Sequence, residues 1–271
     1  MAIDFDPTLL RWSRSIRNWR GLGRHYASPL VGFYRRTRRK QTLGNSGGST
    51  PSPHPANLNS ATAFEIEGDF RRNGWAYIPE FFDNSTHQQL LLAWPELAWF
   101  EPPRTSFEKS YDTFGGWTAH RKSRTDLIDP FVYSIFELLF AESTAQLVTD
   151  MARDNTKRVA ANASMSWARI GSYLLPHRDS NSEGDGSWIN FIIFVDGATP
   201  PLQSGGTSFF KTNRYDQPIF VPRTLRNSAV VYDTRGSFYH GFPPVARGGF
   251  SKRIICNFAS PFETKGQTSP K

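Results

Sequence analysis

Apolar residues recur at helical spacing in the first half of the chain, and short extended runs dominate the second half. The helical spacing predicts helices over three segments: 63–73, 84–98 and 130–153. The extended runs, which are bounded by turn residues, predict strands over 75–79, 163–175, 188–196, 206–211, 218–221, 228–234 and 251–259. Short strands with frequent turns indicate a β-sandwich or a barrel.

Two of the predicted strands are almost continuously apolar, at 188–195 and 254–258. Strands of this kind are buried on both faces, so we expect the helices to cover one sheet. The second helix should then place Leu90, Leu91 and Leu92 in the core. The sequence therefore predicts a mainly-β protein with covering helices.

Composition and charge divide the chain into four predicted parts. They are a basic amphipathic extension (1–43), a linker rich in Gly, Ser and Pro (44–60), a folded domain (61–262) and a tail (263–271). Residues 1–40 carry ten Lys or Arg and two Asp, whereas the other 231 residues carry 22 charges of each sign. The basicity therefore belongs to the extension, which makes nucleic-acid binding a poor candidate for the main function.

The extension contains a predicted amphipathic helix over 8–22 with tryptophan on its apolar side. A basic helix of this kind can lie on an anionic membrane surface, so residues 8–40 are a candidate for peripheral membrane contact. The same residues could contact a polyanion or a partner protein, stay solvated, or dock on their own domain.

The chain has one cysteine, Cys256, which excludes an internal disulfide and a cysteine-rich metal site. Cys256 stands in an apolar run, so we predict a buried and unreactive thiol. No run approaches the roughly 18 apolar residues of a membrane span, and the first residues lack the apolar segment of a secretory signal. We therefore expect a cytoplasmic protein, membrane-peripheral if the extension binds lipid.

The chemistry is carried by His177 and Asp179, two residues apart, with His240 61 residues after Asp179. On an extended segment, residues i and i+2 project to the same side, so an imidazole and a carboxylate could meet one metal ion. A second imidazole completes a two-His, one-carboxylate facial triad, a ligand set suited to Fe(II) and oxygen chemistry. We predict that these three residues are the metal ligands and the catalytic centre. A single histidine would more often be structural, but the combination is specific.

Residues 64–260 resemble an Fe(II)- and 2-oxoglutarate-dependent dioxygenase, a family with a double-stranded β-helix (jelly-roll, cupin-like) core. The resemblance is greatest for poorly characterised bacterial members, some of them linked to surface-polysaccharide synthesis. It implies Fe(II), 2-oxoglutarate as co-substrate, O2 and, as an additional reductant, ascorbate. Five segments carry it: 70–82, 176–179, 204–210, 239–245 and 251–255.

In this family a basic residue on the final strand holds the far carboxylate of 2-oxoglutarate. Arg253 matches that position, and a guanidinium stays charged when buried and can hold a carboxylate through two hydrogen bonds. Lys252 is the main rival and Arg247 a weaker one. Tyr173, on the strand that leads to His177, is predicted to donate a second hydrogen bond to the co-substrate, although its hydroxyl could equally be satisfied by the backbone.

The resemblance implies oxidation of an unactivated C–H bond coupled to decarboxylation of 2-oxoglutarate. Because Asp179 is present, hydroxylation is favoured over halogenation, which in related enzymes needs a small residue there. The predicted substrate is a small molecule, with a sugar or a lipid-linked precursor as candidates. The alternatives are a peptidyl (prolyl-type) hydroxylase and a non-catalytic jelly-roll binding protein located by its basic helix.

Residues 101–126 are predicted to be irregular and to border the substrate. Position alone suggests four lining residues: Trp117, His120, Arg121 and Arg178. Three other histidines are expected to be inert, with His87 solvated on a helix face and His25 and His54 in the extension and linker. Asp233 is expected to be a turn residue and not a ligand.

Overall fold

The computed structural model describes residues 69–101, 109–118, 128–152, 156–179 and 188–260. Its strands are β1 (Trp75–Pro79), β2 (Lys109–Ser110), β3 (Asp112–Thr118), β4 (Val159–Arg169), β5 (Tyr173–His177), β6 (Ile189–Gly197), β7 (Ser208–Phe210), β8 (Pro218–Phe220), β9 (Ser228–Asp233), β10 (Tyr239–Phe242) and β11 (Phe250–Ala259). Its main helices are α1 (Asn84–Ala93), α2 (Pro130–Phe140) and α3 (Glu142–Met151). Short helical turns lie at 69–73, Leu97–Trp99 and Pro201–Ser204.

The strands form two antiparallel sheets. The larger sheet has the order β1-β9-β6-β11-β4-β3 and the smaller has the order β2-β5-β10-β7-β8. The helices lie on one face of the larger sheet, with α1 against β6 and with α2 and α3 against β4. The predicted mainly-β jelly roll with covering helices is confirmed. The extension (1–43), the linker (44–60) and the tail (263–271) lie outside the described residues.

The two faces of the larger sheet build two different cores because side chains alternate along a strand. On β6, Ile192 and Phe194 pack in the space between the two sheets. The alternate residues of the same sheet pack against the helices: Ile189, Phe191, Ile193, Val195, Ala229, Val231, Ile254, Cys256 and Phe258. The central strands β6 and β11 are therefore covered on both sides, which explains the apolar run over 189–195 that only Asn190 interrupts.

Helix α1 begins at a side-chain cap, because Asp83 accepts hydrogen bonds from the backbone N–H and the hydroxyl of Thr86. Leu90 is fully buried, but Leu92 is 88% exposed, so the prediction that Leu92 lies in the core was wrong. Successive helical residues point about 100° apart, so one face of the helix cannot hold three consecutive leucines.

The predicted solvation of His87 was also wrong. His87 lies one helical turn before Leu90 on the same face, is buried, and donates from Nε2 to the Val195 carbonyl at 2.9 Å. Imidazole and carbonyl satisfy each other, so the pair fastens α1 to β6.

Helix α2 is also capped, with Asp129 accepting from the Phe131 N–H at 2.8 Å and Pro130 in the first turn. Within the described part of the chain, no single helix is long and apolar enough to cross a membrane. Helices α2 and α3 reach that length and apolarity only together, and a 47° bend separates them.

Two predicted segments differ from the observed elements in strand content, and one observed strand was not predicted. Part of the stretch 101–126, which was predicted to be irregular, forms β2 and β3, because β5 supplies hydrogen-bond partners to β2 and β4 supplies them to β3. The predicted strand 163–175 is two strands, separated by a turn in which Gly171 has a φ of +80°. Strand β10 was not predicted as a strand.

Cys256 lies on the helix-covered face of β11 and is fully buried, as predicted. Burial raises the pKa of its thiol well above the usual range, because the thiolate would lose its hydration.

Candidate metal centre

Strands β5 and β10 bring two distant histidines side by side. His177 at the end of β5 pairs directly with His240 on β10, and their ring centroids are 4.2 Å apart. Asp179 follows two residues after His177, and its Oδ1 lies 3.5 Å from Nε2 of His177 and 3.7 Å from Nε2 of His240. The ligand atoms of all three residues lie within 4.8 Å of one another. The structure thus places the three predicted metal ligands around one point.

The orientation of His177 is set by its own strand. Its Nδ1–H donates to the Leu175 carbonyl at 2.8 Å, so Nε2 carries the lone pair and faces the other two residues. Metal-binding histidines in proteins are commonly held in this way through their second nitrogen.

The charges also suit a cation. Burial by itself raises the pKa of Asp179, but the hydrogen bond with His177 and the two nearby histidines outweigh it and lower the pKa. Burial lowers the pKa of His240 to about 4, against the opposing effect of Asp179. At neutral pH the site therefore offers an ionised carboxylate and a neutral imidazole, which are the forms that bind metals.

Tyr232 and Asn190, which the sequence did not indicate as site residues, form hydrogen bonds with the predicted ligand Asp179. The hydroxyl of Tyr232 on β9 lies 3.1 Å from Nε2 of His240 and 3.4 Å from Oδ2 of Asp179. Asn190 on β6 donates from Nδ2 to Asp179 Oδ2 at 3.0 Å and to the Tyr232 hydroxyl at 3.1 Å. Both partners use Oδ2, which leaves Oδ1 facing the histidines. Burial raises the pKa of Tyr232 well above its usual value, so the hydroxyl keeps its proton.

Arg253 lies on the inward face of β11, in the space between the sheets. Its Nε donates to Ser166 Oγ at 3.0 Å and its Nη1 to the Gly205 carbonyl at 3.4 Å. Its Nη2 is buried without a hydrogen-bond partner among the described residues. Burial lowers the pKa of Arg253 to about 10, so the guanidinium is still charged at neutral pH.

The two rivals of Arg253 point elsewhere. Lys252 lies on the opposite face of β11, with its ammonium 4.9 Å from the centre of the Trp167 ring. Arg247 is exposed in the turn before β11. Alternation along the strand therefore leaves Arg253 as the cation that faces the interior.

An unexpected tyrosine accompanies Arg253. The guanidinium carbon lies 4.6 Å from the centre of the Tyr111 ring and 4.8 Å from that of Phe242, and the two rings also contact each other at 6.0 Å. The predicted Tyr173 lies on β5 next to Leu174, which packs inward with Phe242. Alternation then directs Tyr173 to the other face of the smaller sheet, so Tyr111 and not Tyr173 occupies this place. A register shift between β5 and β10 hides this outcome from the sequence.

The remaining predicted residues have mixed outcomes. His120, Arg121, His25 and His54 lie outside the described residues, and for Trp117 only the backbone position on β3 is described. Arg178 is exposed, donates to the Ser237 carbonyl at 2.9 Å, and lies over the Tyr239 ring at 4.7 Å. Asp233 is bound by Arg235 at 2.7 Å, apart from the metal centre.

Gly241 allows β5 and β10 to approach, since a Cβ there would lie 2.5 Å from the Leu174 carbonyl oxygen and 3.0 Å from the Pro176 nitrogen. We expect Gly241→Ala to lower the free energy of unfolding by about 1–3 kcal/mol, as overpacking does, and to weaken metal binding by displacing His240. Thermal unfolding and a metal titration would measure both. Gly248→Ala is the control, because its φ of +82° makes the substitution strained without any contact within 4 Å. Equal metal affinity in the two variants would contradict the expectation.

A scan against protein-family models finds no match, and neither does a sequence search of curated proteins. Solved structures do share the fold. A 2OG-Fe(II) oxygenase family oxidoreductase from Burkholderia pseudomallei aligns at a TM-score of 0.52 and 14% identity, covering 77% of this chain and 96% of that one. A prolyl hydroxylase from Trichoplax adhaerens, in complex with a hypoxia inducible factor peptide fragment, aligns at a TM-score of 0.54 and 11% identity, covering 77% of this chain and 93% of that one. The epimerase SnoN, in complex with Fe3+, alpha ketoglutarate and nogalamycin RO, aligns at a TM-score of 0.51 and 12% identity, covering 74% of this chain and 85% of that one.

Proposed function

We propose that this chain, which has the double-stranded β-helix fold of the 2-oxoglutarate- and iron(II)-dependent oxygenases, is itself such an oxygenase and hydroxylates a small molecule. One observation carries the proposal. Two imidazoles and a carboxylate meet at one point, and a buried arginine whose Nη2 has no hydrogen-bond partner among the described residues lies inside the same sandwich. The fold by itself would not support a function, since function resides in the site.

The donor set fits iron. His177, Asp179 and His240 would supply three ligands, and two histidines with one carboxylate are typical of non-heme Fe(II) oxygenases because open positions remain. When bound, iron and 2-oxoglutarate would supply the oxidising chemistry together with O2, which is the oxidant. The protein's part is to hold Asp179 through Asn190 and Tyr232, so that the carboxylate keeps one oxygen for the metal.

The Arg253 site fits a carboxylate co-substrate. Within the described part of the chain, this buried guanidinium has neutral partners and no counter-ion, and its Nη2 is a donor without an acceptor. A carboxylate bound at Arg253, beside Tyr111 and Phe242, would satisfy both needs, because arginine and carboxylate form paired, charge-assisted hydrogen bonds. We assign the far carboxylate of 2-oxoglutarate to this position.

The same features separate the enzyme from a non-catalytic binding protein. A scaffold would not need a facial triad together with a buried cation that is stabilised by no acidic side chain among the described residues. The peptidyl alternative shares the fold, since one of the aligned structures holds a peptide fragment. None of the described residues favours a peptide over a small molecule. Membrane contact through residues 8–40 and a cytoplasmic location remain proposals from the sequence.

The test is an anaerobic titration of the purified protein with Fe(II) and then with 2-oxoglutarate. We expect a visible iron-to-keto-acid charge-transfer band, followed by succinate formation when oxygen is admitted. Iron that neither binds nor is required would refute the oxygenase proposal.

Tyr232 offers a finer test of how the metal centre is held. We expect Tyr232→Phe to weaken Fe(II) binding by about 10- to 100-fold, the usual cost of losing an outer partner of a metal ligand. The ring should still pack against Phe209 and Phe238, so the fold is retained. Competition with a fluorescent chelator would measure the affinity.

The control is Tyr77→Phe, which removes a hydroxyl that pairs with the Thr224 backbone on the edge of the larger sheet. If the two tyrosine variants bind Fe(II) equally well, the hydroxyl of Tyr232 has no role in holding the ligands.

A further inference from the structure

Three asparagines form a row across the inner face of the larger sheet. Asn190 on β6 pairs in register with Asn257 on β11, and Asn257 pairs in register with Asn162 on β4. Neighbouring strands lie about 4.8 Å apart, so the row spans roughly 10 Å. It begins at Asn190, which touches Asp179, and leads away from the metal centre.

The row faces the interior of the sandwich. Asn190 and Asn257 share the inward parity of Ile192 and Arg253, which lie two and four residues from them on β6 and β11. Asn257 and Asn162 are half-buried, whereas Asn190 is buried. Solvent therefore reaches the row at Asn257 and Asn162, and the row is closed to solvent at Asn190, next to the metal ligands.

The asparagines satisfy only part of one another's hydrogen-bonding capacity. Asn257 donates from Nδ2 to Asn162 Oδ1 at 2.7 Å. Asn190 uses Nδ2 for Asp179 and Tyr232, and its Oδ1 is buried without a hydrogen-bond partner among the described residues. A buried acceptor without a donor is costly, so this atom calls for a ligand or an ordered water.

The row carries no charge. Among the described residues, the groups left over are the oxygens of Asn190 and Asn257, both N–H groups of Asn162 and the second N–H of Asn257. On the same face, Ile255 and Ser164 form the next registered pair toward Arg253, so the aliphatic side chain of Ile255 adjoins the amides. An aliphatic ligand would strip water from the amides without replacing its hydrogen bonds, and an anion would meet two amide oxygens in a row that begins at the Asp179 carboxylate.

We propose that this row is the binding site for an uncharged, hydroxyl-rich portion of the substrate, which places the substrate in the saccharide class. A hydroxyl both donates and accepts, so neighbouring hydroxyls can engage the amide oxygens and the N–H groups together. The proposal rests on the oxygenase function, because the row positions a C–H bond next to the metal ligands.

The test uses the full chain loaded with 2-oxoglutarate and with Zn(II) in place of iron. Saturation-transfer NMR would be recorded with the methyl glycosides of glucose, mannose, galactose and rhamnose, and with a proline-containing peptide and decanoate. We expect at least one glycoside to bind, and Asn257→Val and Asn162→Val each to weaken it by about tenfold, through loss of its own amide and disturbance of its partner. Asn84→Val on the exposed start of α1 is the matched control and should bind normally.

The outcomes separate this proposal from the one on which it rests. If the Fe(II) and 2-oxoglutarate band forms in the wild type and both row variants but no glycoside binds, the saccharide assignment is wrong and the oxygenase stands. The same holds if only the peptide or decanoate binds, or if the row variants bind a glycoside as tightly as the wild type. If the band never forms, the oxygenase proposal fails first and this one with it.

Discussion

We expect His177→Ala to abolish iron binding, with a fall in affinity of more than about 100-fold, since losing even an outer partner of a ligand costs about 10- to 100-fold. The reason is geometric: Asp179 and His240 alone leave the ion two protein ligands where three meet in the wild type. His177 is half-buried at a strand end, so its removal should cost only about 1 kcal/mol of stability, through the lost hydrogen bond to Leu175. The charge-transfer band should be absent.

The measurement is a chelator competition for Fe(II) together with thermal unfolding with and without metal. A ligand at about 100 times its Kd stabilises the native state by roughly 2.7 kcal/mol, and this rise should be seen in the wild type and lost in the variant. His87→Ala is the control, because it removes a buried imidazole that fastens α1 to β6. It should lower stability and leave iron affinity unchanged. Normal iron binding by His177→Ala would show that the triad is not the iron site.

The second large effect is expected from Arg253→Met. Affinity for 2-oxoglutarate should fall by at least about 100-fold, because two hydrogen bonds to a charged group contribute about 1.5–3 kcal/mol each. Without co-substrate, however, the variant should be as stable as the wild type or more stable. A buried guanidinium with neutral partners costs desolvation, and apolar replacements of buried charges are often neutral or stabilising.

These opposite signs make the experiment discriminating. Affinity would be read from the charge-transfer band during titration, and stability from denaturant unfolding of the co-substrate-free protein. Lys252→Met is the matched control, one residue away on the same strand but over Trp167 on the other face. If Lys252→Met loses 2-oxoglutarate and Arg253→Met keeps it, the assignment of the co-substrate carboxylate is wrong.

The sequence predicts those parts of the site that depend on local geometry. The inward direction of Arg253 follows from strand alternation, and the spacing of His177 and Asp179 follows from a strand end. The parts that depend on contacts between strands could not be predicted. Tyr111 reaches the site from the link between β2 and β3, and Tyr232 from β9, so both depend on the sheet order. The register shift beside Phe242 reverses the expectation for Tyr173.

The helix layer shows the same division. The helical spacing predicts α1, but the apolar run around Leu90 cannot reveal which leucine faces the sheet. His87 was misjudged because its partner is a backbone carbonyl of β6, more than 100 residues later in the chain. Polar residues that are satisfied by distant backbone look the same in sequence as solvated ones.

The burial of Cys256 has a practical consequence for spectroscopy. The chain has no other cysteine, and the thiol of Cys256 is buried and hard to ionise, so we expect it not to react with maleimide reagents. A cysteine introduced at an exposed position, such as Asn84, could then carry a spin label without removal of the native residue. With a paramagnetic ion at the triad, such labels would provide distances across the molecule, including to the basic segment that precedes the folded domain.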